Sequence, residues 1–354
     1  MKQGGSNMNK VFETSDDADR VRSAREWIKV LATYRTPSYG RSIFELCVTI
    51  FPFVALWALA WWALSVSYWL TLAISVVIGG LIVRLFAIQH DCGHASFFEN
   101  RQVADWVGRA LGILTVTPYD VWRRSHAIHH SASGNLERQG MGDIHTLTVR
   151  EYRELSGRDQ WLYRLYRSPF VLFILAPSYL FLLQNRLPIG FMGAGIKYWT
   201  SAMGTNALIA AILGTIYYFG GLEPLLLIFL PSTIIAASLG VWLFYVQHQF
   251  EDTHWDREED WDIHEAALEG SSHYVLPGVL NWFSANIAIH HVHHLYARIP
   301  FYRLPDILRD HPVLAEAQRL TIKESIQGVK LNLWDEAERR LVTYKQAKAT
   351  IAAE

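Results

Sequence analysis

The chain is poor in cysteine, with only Cys47 and Cys92 among 354 residues. Both lie in or beside apolar segments, which argues against a disulfide framework or a thiolate zinc site. It also carries little net charge, −1 from 32 Lys and Arg against 33 Asp and Glu. No nucleic-acid partner is expected from that balance. The stretch from Met1 to Arg41 is polar and mixed in charge. With no early hydrophobic run, a cleaved signal peptide is not expected. What is abundant is apolar surface: 51% of residues are hydrophobic, and they sit in long runs rather than in the short alternations of soluble domains.

A membrane-spanning helix needs about 20 mostly apolar residues. Four segments qualify: Ile43 to Leu64, Tyr68 to Ile88, Tyr198 to Phe219, and Leu225 to Val246. Pro52 and Pro231 fall inside two of them, which helices in lipid tolerate. Arg84, near one end of the second, is expected to snorkel to the headgroups. Tyr68, Trp69, Trp199, Tyr217 and Tyr218 lie where interfacial anchors belong. Two shorter stretches, Val103 to Val116 and Pro169 to Leu183, are read as interfacial or re-entrant.

The spans pair into two hairpins, with Ser65 to Ser67 and Gly220 to Pro224 as tips. Neither tip carries Lys or Arg, whereas the tail before the first span carries eight. Arg123, Arg124, Arg138 and Arg150 fall in the central loop. The positive-inside rule then puts both tails and the central loop in the cytoplasm. The expected organisation is a tail (1–42), a transmembrane hairpin (43–88) and an interfacial helical region (89–197). A second hairpin (198–247) and a cytoplasmic cap (248–354) follow. The fold class is an all-α integral membrane protein, four spanning helices capped by a cytoplasmic helical domain.

Histidine is the residue that stands out. There are fifteen, and nine fall in three clusters: His90-Asp-Cys-Gly-His94, His126-Ala-Ile-His129-His130, and His290-His291-Val-His293-His294. Read as HxxxH, HxxHH and HxxHH, they offer eight imidazoles at helical spacing. Residues i, i+3 and i+4 share one helix face, so each cluster aims two or three ring nitrogens at one point. Imidazole suits iron, zinc, copper and nickel, and eight are too many for one metal. The count points to two. All three clusters lie on the cytoplasmic side only if Pro169 to Leu183 does not cross the bilayer. His248 ends the fourth span at the same surface and is the expected ninth ligand.

Metal-bound imidazoles usually give their other N–H to a carboxylate or carbonyl. Asp91, Asp143, Asp252 and Asn286 are the candidates for that outer ring. His291, on another helix face, and His273 are assigned there too, or to the surface. His145, His254, His264 and His311 are read as surface histidines. The competing reading is three unrelated surface clusters that sense pH; their shared side of the membrane argues against it.

The boxes resemble those of the membrane-bound fatty acid desaturases, a histidine-rich di-iron superfamily. The likeness extends through Arg41-Ser-Ile-Phe44, Gly140-Met-Gly-Asp-Ile144, Gln247-His-Gln-Phe-Glu-Asp252, Glu269-Gly-Ser-Ser272, Arg298-Ile-Pro300 and Leu333-Trp-Asp-Glu336. It covers about residues 35 to 345 and looks like the bacterial acyl-lipid branch. The resemblance implies that His90, His94, His126, His129, His130, His290, His293 and His294 bind two iron ions, and it favours His248 as well. It implies O2 as co-substrate and a membrane-lipid acyl chain as substrate. The product would be a cis double bond, of delta-12/omega-6 type in preference to delta-5. No His-Pro-Gly-Gly haem motif is present, so no haem or flavin is expected in the chain. Electrons would come from a separate ferredoxin or cytochrome b5. The implied site is the bacterial inner membrane. The same centre could instead hydroxylate. A zinc hydrolase is the third reading, but the chain has no HExxH, and catalytic zinc takes about three protein ligands.

Overall fold

The computed structural model describes residues 22–351; the start of the expected N-terminal tail, Met1 to Val21, lies outside them. Helix α1 (Ala24–Leu31) opens on a capping box between Ser23 and Glu26. Helices α2 (Tyr39–Ala63) and α3 (Tyr68–His94) form the first hairpin. Short helices α4 (Arg101–Leu114), α5 (Tyr119–Ala132), α6 (Val149–Glu154) and α7 (Gly157–Tyr166) follow. A π-helical turn (Val171–Leu175) leads into α8 (Ala176–Leu182). Helices α9 (Ile196–Gly220) and α10 (Leu230–His248) form the second hairpin, α10 being preceded by a π-helical turn (Leu225–Phe229).

The C-terminal part contains α11 (Ile263–Glu269), β1 (His273–Val275), α12 (Gly278–Phe283), α13 (His290–Leu295), α14 (Leu304–Asp310) and α15 (Pro312–Glu316). It ends with β2 (Arg319–Thr321), α16 (Ile322–Gly328), β3 (Leu333–Asp335), β4 (Arg340–Val342) and α17 (Tyr344–Ile351). The cap is therefore not wholly helical. Strand β1 pairs in parallel with β2, Tyr274 opposite Leu320, and β3 pairs antiparallel with β4, Trp334 opposite Leu341.

Among the described residues, four helices are long and apolar enough to cross a membrane: Tyr39–Ala63, Tyr68–His94, Ile196–Gly220 and Leu225–His248. The chain is an integral membrane protein of mostly helical fold. The second and fourth spans outrun the apolar segments read from sequence and carry their histidines on the added turns. Segment Val171–Arg186 bends by 56° from α7. The ends of α3 and α10 meet in one site, so the chain between them crosses an even number of times. Helices α9 and α10 already meet that parity, which fits an interfacial or re-entrant course for the bent segment.

Helices α3 and α10 pack face to face. In lipid, apolar surface gains nothing by leaving water, so close approach matters more. Gly79 supplies it, since a Cβ there would lie 2.7 Å from Ile235 Cγ2. Gly80 does the same for the Phe283 ring of α12, 2.9 Å from a Cβ position. The largest buried cluster includes Ile78, Leu85, Ile88, Phe97, Leu295 and Phe301. It joins the spans to the cap directly under the histidines.

Arg84 corrects the sequence reading. It does not snorkel; its side chain is only 2% exposed. It donates to the Glu45 carboxylate and the Trp282 carbonyl, and to the Thr49 hydroxyl at 3.0 Å. The guanidinium also lies 4.2 Å from the Trp282 ring centroid. A charge buried this way persists because its partners satisfy it, and it pins α12 to the first hairpin.

Candidate metal centre

Each histidine is placed by a local feature of its element. His90 and His94 occupy the last turns of α3, which stops at Ala95 in the left-handed conformation (φ 55°). His126, His129 and His130 share one face of α5. That helix begins at Tyr119, so Trp122 to His126 is helical throughout. The third box lies on the second of two short helices, α12 and α13. The chain breaks after Phe283, with Ala285 (φ 49°) and Asn286 (φ 54°) left-handed, and restarts at His290.

The restart is held by the segment before β1. The N–H groups of His290 and His291 donate to the Ser272 carbonyl at 3.1 and 3.3 Å. Ser272 in turn donates through its N–H to the Gln247 carbonyl at 2.9 Å and through its hydroxyl to the Val246 carbonyl at 3.0 Å. One residue thus fixes α13 against the end of α10. Gly270 belongs to the same segment, and its carbonyl lies 3.2 Å from His248 Nδ1. Neither was picked out as functional from sequence, although both stand in the Glu269-Gly-Ser-Ser272 stretch that carried the resemblance.

The eight box histidines and His248 fall into two clusters that could each hold a metal ion. His90, His94, His126, His130 and His293 form one; His129, His248, His290 and His294 form the other. Within each, one ring nitrogen per residue lies within 4.8 Å of the rest. His126 Nε2 is 3.0 Å from both His94 Nε2 and His130 Nε2, and His130 Nε2 is 3.2 Å from His293 Nε2. In the second cluster, His290 Nε2 is 3.0 Å from His248 Nε2, and His129 Nε2 is 3.3 Å from His294 Nε2.

Hydrogen bonding does not account for this convergence. A neutral ring nitrogen donates once or accepts once, yet His126 and His130 each face two others. A central cation satisfies all of them. Imidazole nitrogens about 2.1 Å from a metal sit roughly 3.0–3.4 Å from their neighbours, as these do. Burial, then the neighbouring imidazoles, pushes His126, His130, His293 and His294 well below the ordinary histidine range. Neutral imidazole is the ligating form.

Two of the candidate outer-ring carboxylates face cluster histidines. Asp143 Oδ1 lies 2.6 Å from His129 Nδ1. Asp91 Oδ1 lies 3.3 Å from His90 Nδ1, while its Oδ2 accepts the Phe301 N–H at 2.7 Å. The remaining candidates sit elsewhere. Asp252 is exposed, because the chain turns away after Gln249. Asn286 donates to the Phe301 carbonyl at 3.5 Å and not to a histidine. His291 Nε2 lies 2.9 Å from the Leu314 carbonyl and His273 Nδ1 lies 2.8 Å from the Ala315 carbonyl. These two rings face each other 5.8 Å apart, away from both clusters. They pin the α15 region, and burial holds His291 down to about 3.

A cavity of about 680 Å³ reaches His90, His126, His129 and His290 and continues along α10 past Phe244, Gly240 and Ala236. Its lining is mainly apolar. A narrow crevice of about 30 Å³ touches His129 and His248 and is lined by Asn135, Gln139, Asp143 and Gln249.

Comparison with known proteins supplies the last observation. The sequence model of the fatty acid desaturase family matches residues 67–325. A protein named fatty acid desaturase from Bacillus subtilis is 42% identical over 324 residues, covering 92% of each chain. An sn-1 acyl-lipid omega-3 desaturase (ferredoxin) from Synechocystis is 26% identical over 266 residues, 72% of this chain and 71% of that one. One of the same name from Nostoc is 27% identical over 310 residues, 82% of this chain and 81% of that one.

Proposed function

The chain belongs to the fatty acid desaturase family, and from that premise we propose that it is an O2-dependent di-iron acyl-lipid desaturase. It would place a cis double bond in a membrane-lipid chain, of delta-12/omega-6 or delta-5 type. The observation that carries the reading is a pair of histidine clusters at the head of a largely apolar cavity. His90, His94, His126, His130 and His293 would hold one iron, and His129, His248, His290 and His294 the other. When bound, the irons supply the oxidising power needed to remove hydrogen from an unactivated methylene, which no side chain can supply.

The chain's own residues do the rest. Asp143, Asp91 and the Gly270 carbonyl fix ring orientation through the far nitrogens of His129, His90 and His248. Phe86, Trp122 and Phe244 line the cavity beside the histidines and exclude water from the reacting carbons. The cavity walls hold the substrate methylenes in one place. The overall reaction takes two hydrogens from adjacent carbons, and O2 with two electrons and two protons becomes two waters. A separate donor of ferredoxin or cytochrome b5 type supplies the electrons, in keeping with the names of the Synechocystis and Nostoc relatives. The expected location is a bacterial inner membrane, with the histidines on the cytoplasmic face.

The test is lipid mass spectrometry after expression in a host lacking polyunsaturated lipids. A product two hydrogens lighter supports desaturation. A gain of oxygen in its place means hydroxylation at the same centre. Two zincs and no iron after metal-balanced expression would favour a hydrolase.

A further inference from the structure

The two ends of the large cavity differ in chemistry. Along α10 it runs from Gln247 down to Thr233, about 20 Å at 1.5 Å per residue. Below Thr233 the space closes because α3 and α10 touch. A Cβ on Gly79 would lie 3.1 Å from the Ser232 carbonyl, and Ser75 Oγ donates to the Leu227 carbonyl at 2.9 Å. This end lies inside an apolar span, where a polar headgroup would be left without partners.

The other end opens beside Gly140, Gly142 and Gly190, all exposed. Met141 reaches across it. A Cβ on Gly190 would lie 2.5 Å from Met141 Cε, so Gly190 provides the seat for that side chain. Met141 is also fixed relative to the histidines. Asp143, two residues on, contacts His129, and a Cβ on Gly142 would lie 3.5 Å from His129 Cβ and 3.4 Å from Ser125 Oγ. Gly190 is tied to the third span in turn. Trp199 Nε1 donates to the Met192 carbonyl at 2.9 Å, and Arg186 Nη1 donates to Asn206 Oδ1 at 2.9 Å. The contact therefore has a set distance from both the metal clusters and the start of a spanning helix.

We propose that Met141, closed against Gly190, is a specificity-determining residue that stops the polar head of the lipid at the cavity mouth. The reacting carbon is then counted from the carboxyl end. The deep end around Thr233 and Ala236 limits chain length without choosing the carbon. This inference rests on the reading of the cavity as an acyl site.

The experiment expresses wild type, Met141→Ala and Ala236→Leu in a host fed saturated straight-chain fatty acids that lengthen by two carbons at a time. Double bonds are then located by mass spectrometry. Wild type should keep the bond at a constant number of carbons from the carboxyl group. Met141→Ala should move it toward the carboxyl end or spread it over adjacent positions. Ala236→Leu should lose the longest substrates and leave the position unchanged. A wild-type bond at constant distance from the methyl end would overturn the proposal, as would a Met141→Ala product indistinguishable from wild type. Wild-type lipids with no new double bond at all would instead remove the desaturase reading beneath it.

Discussion

The two histidine clusters are built from the same boxes but are not equivalent. The first has five imidazoles and the second four. The five-histidine cluster takes both members of the first box, two of the second and one of the third. The four-histidine cluster takes the remaining one of the second box, two of the third, and His248. Boxes two and three therefore bridge the clusters, and the stacked rings of His130 and His294, 4.1 Å apart, join them. Their surroundings also differ. His129 and His248 border a narrow crevice that the other cluster does not touch, while both clusters border the apolar cavity, one through His90 and His126 and the other through His129 and His290. The four-histidine set is the smaller shell and would leave its metal more room for a small molecule. Its four rings are all buried, whereas His94, His126 and His130 of the five-histidine set are only partly buried.

That asymmetry can be broken in graded steps. The largest effect is expected for His129→Ala and His294→Ala, which thin the smaller shell: desaturation should vanish in whole-cell lipid analysis while the protein still inserts. His94→Ala leaves four imidazoles in the larger cluster, and metal analysis should show partial retention there with activity reduced but measurable. Asp143→Asn should lower metal affinity or activity by about 10- to 100-fold, and Asp91→Asn by less, because Asp91 sits farther from its histidine and is shared with the Phe301 N–H. Equal losses in these two variants would erase the distinction between the clusters. The smallest effect belongs to Asp252→Asn, within about 0.5 kcal/mol of wild type in thermal unfolding and with unchanged product yield.

Much of this architecture is written in local pattern. Four apolar runs mark the spans, and i, i+3, i+4 spacing puts His126, His129 and His130 on one helix face, because both signals act within a few turns. The division of those three rings between two clusters is not local. It depends on how α5 crosses α3 and α10, which are far apart in sequence. The break in the third box escaped for a similar reason. Its two left-handed residues, Ala285 and Asn286, donate back to the Trp282 and Asn281 carbonyls, while the restart at His290 depends on the distant Ser272 carbonyl and on packing of α12 on Gly80. Arg84 reads as an interfacial cation until Glu45, on another helix, is seen beside it. Of the four candidate outer-ring groups, Asp91 and Asp143 face cluster histidines and Asp252 and Asn286 do not, since contact follows direction and not sequence distance. Gly270 went unnoticed because a backbone carbonyl has no side-chain signature.

The central claim is that His248 completes a second metal site. Metal analysis of purified protein after metal-balanced expression tests it most directly, comparing wild type with His248→Ala. Two irons per wild-type chain, falling toward one in the variant, is the expected result. One metal in wild type, or two undiminished in His248→Ala, would contradict it.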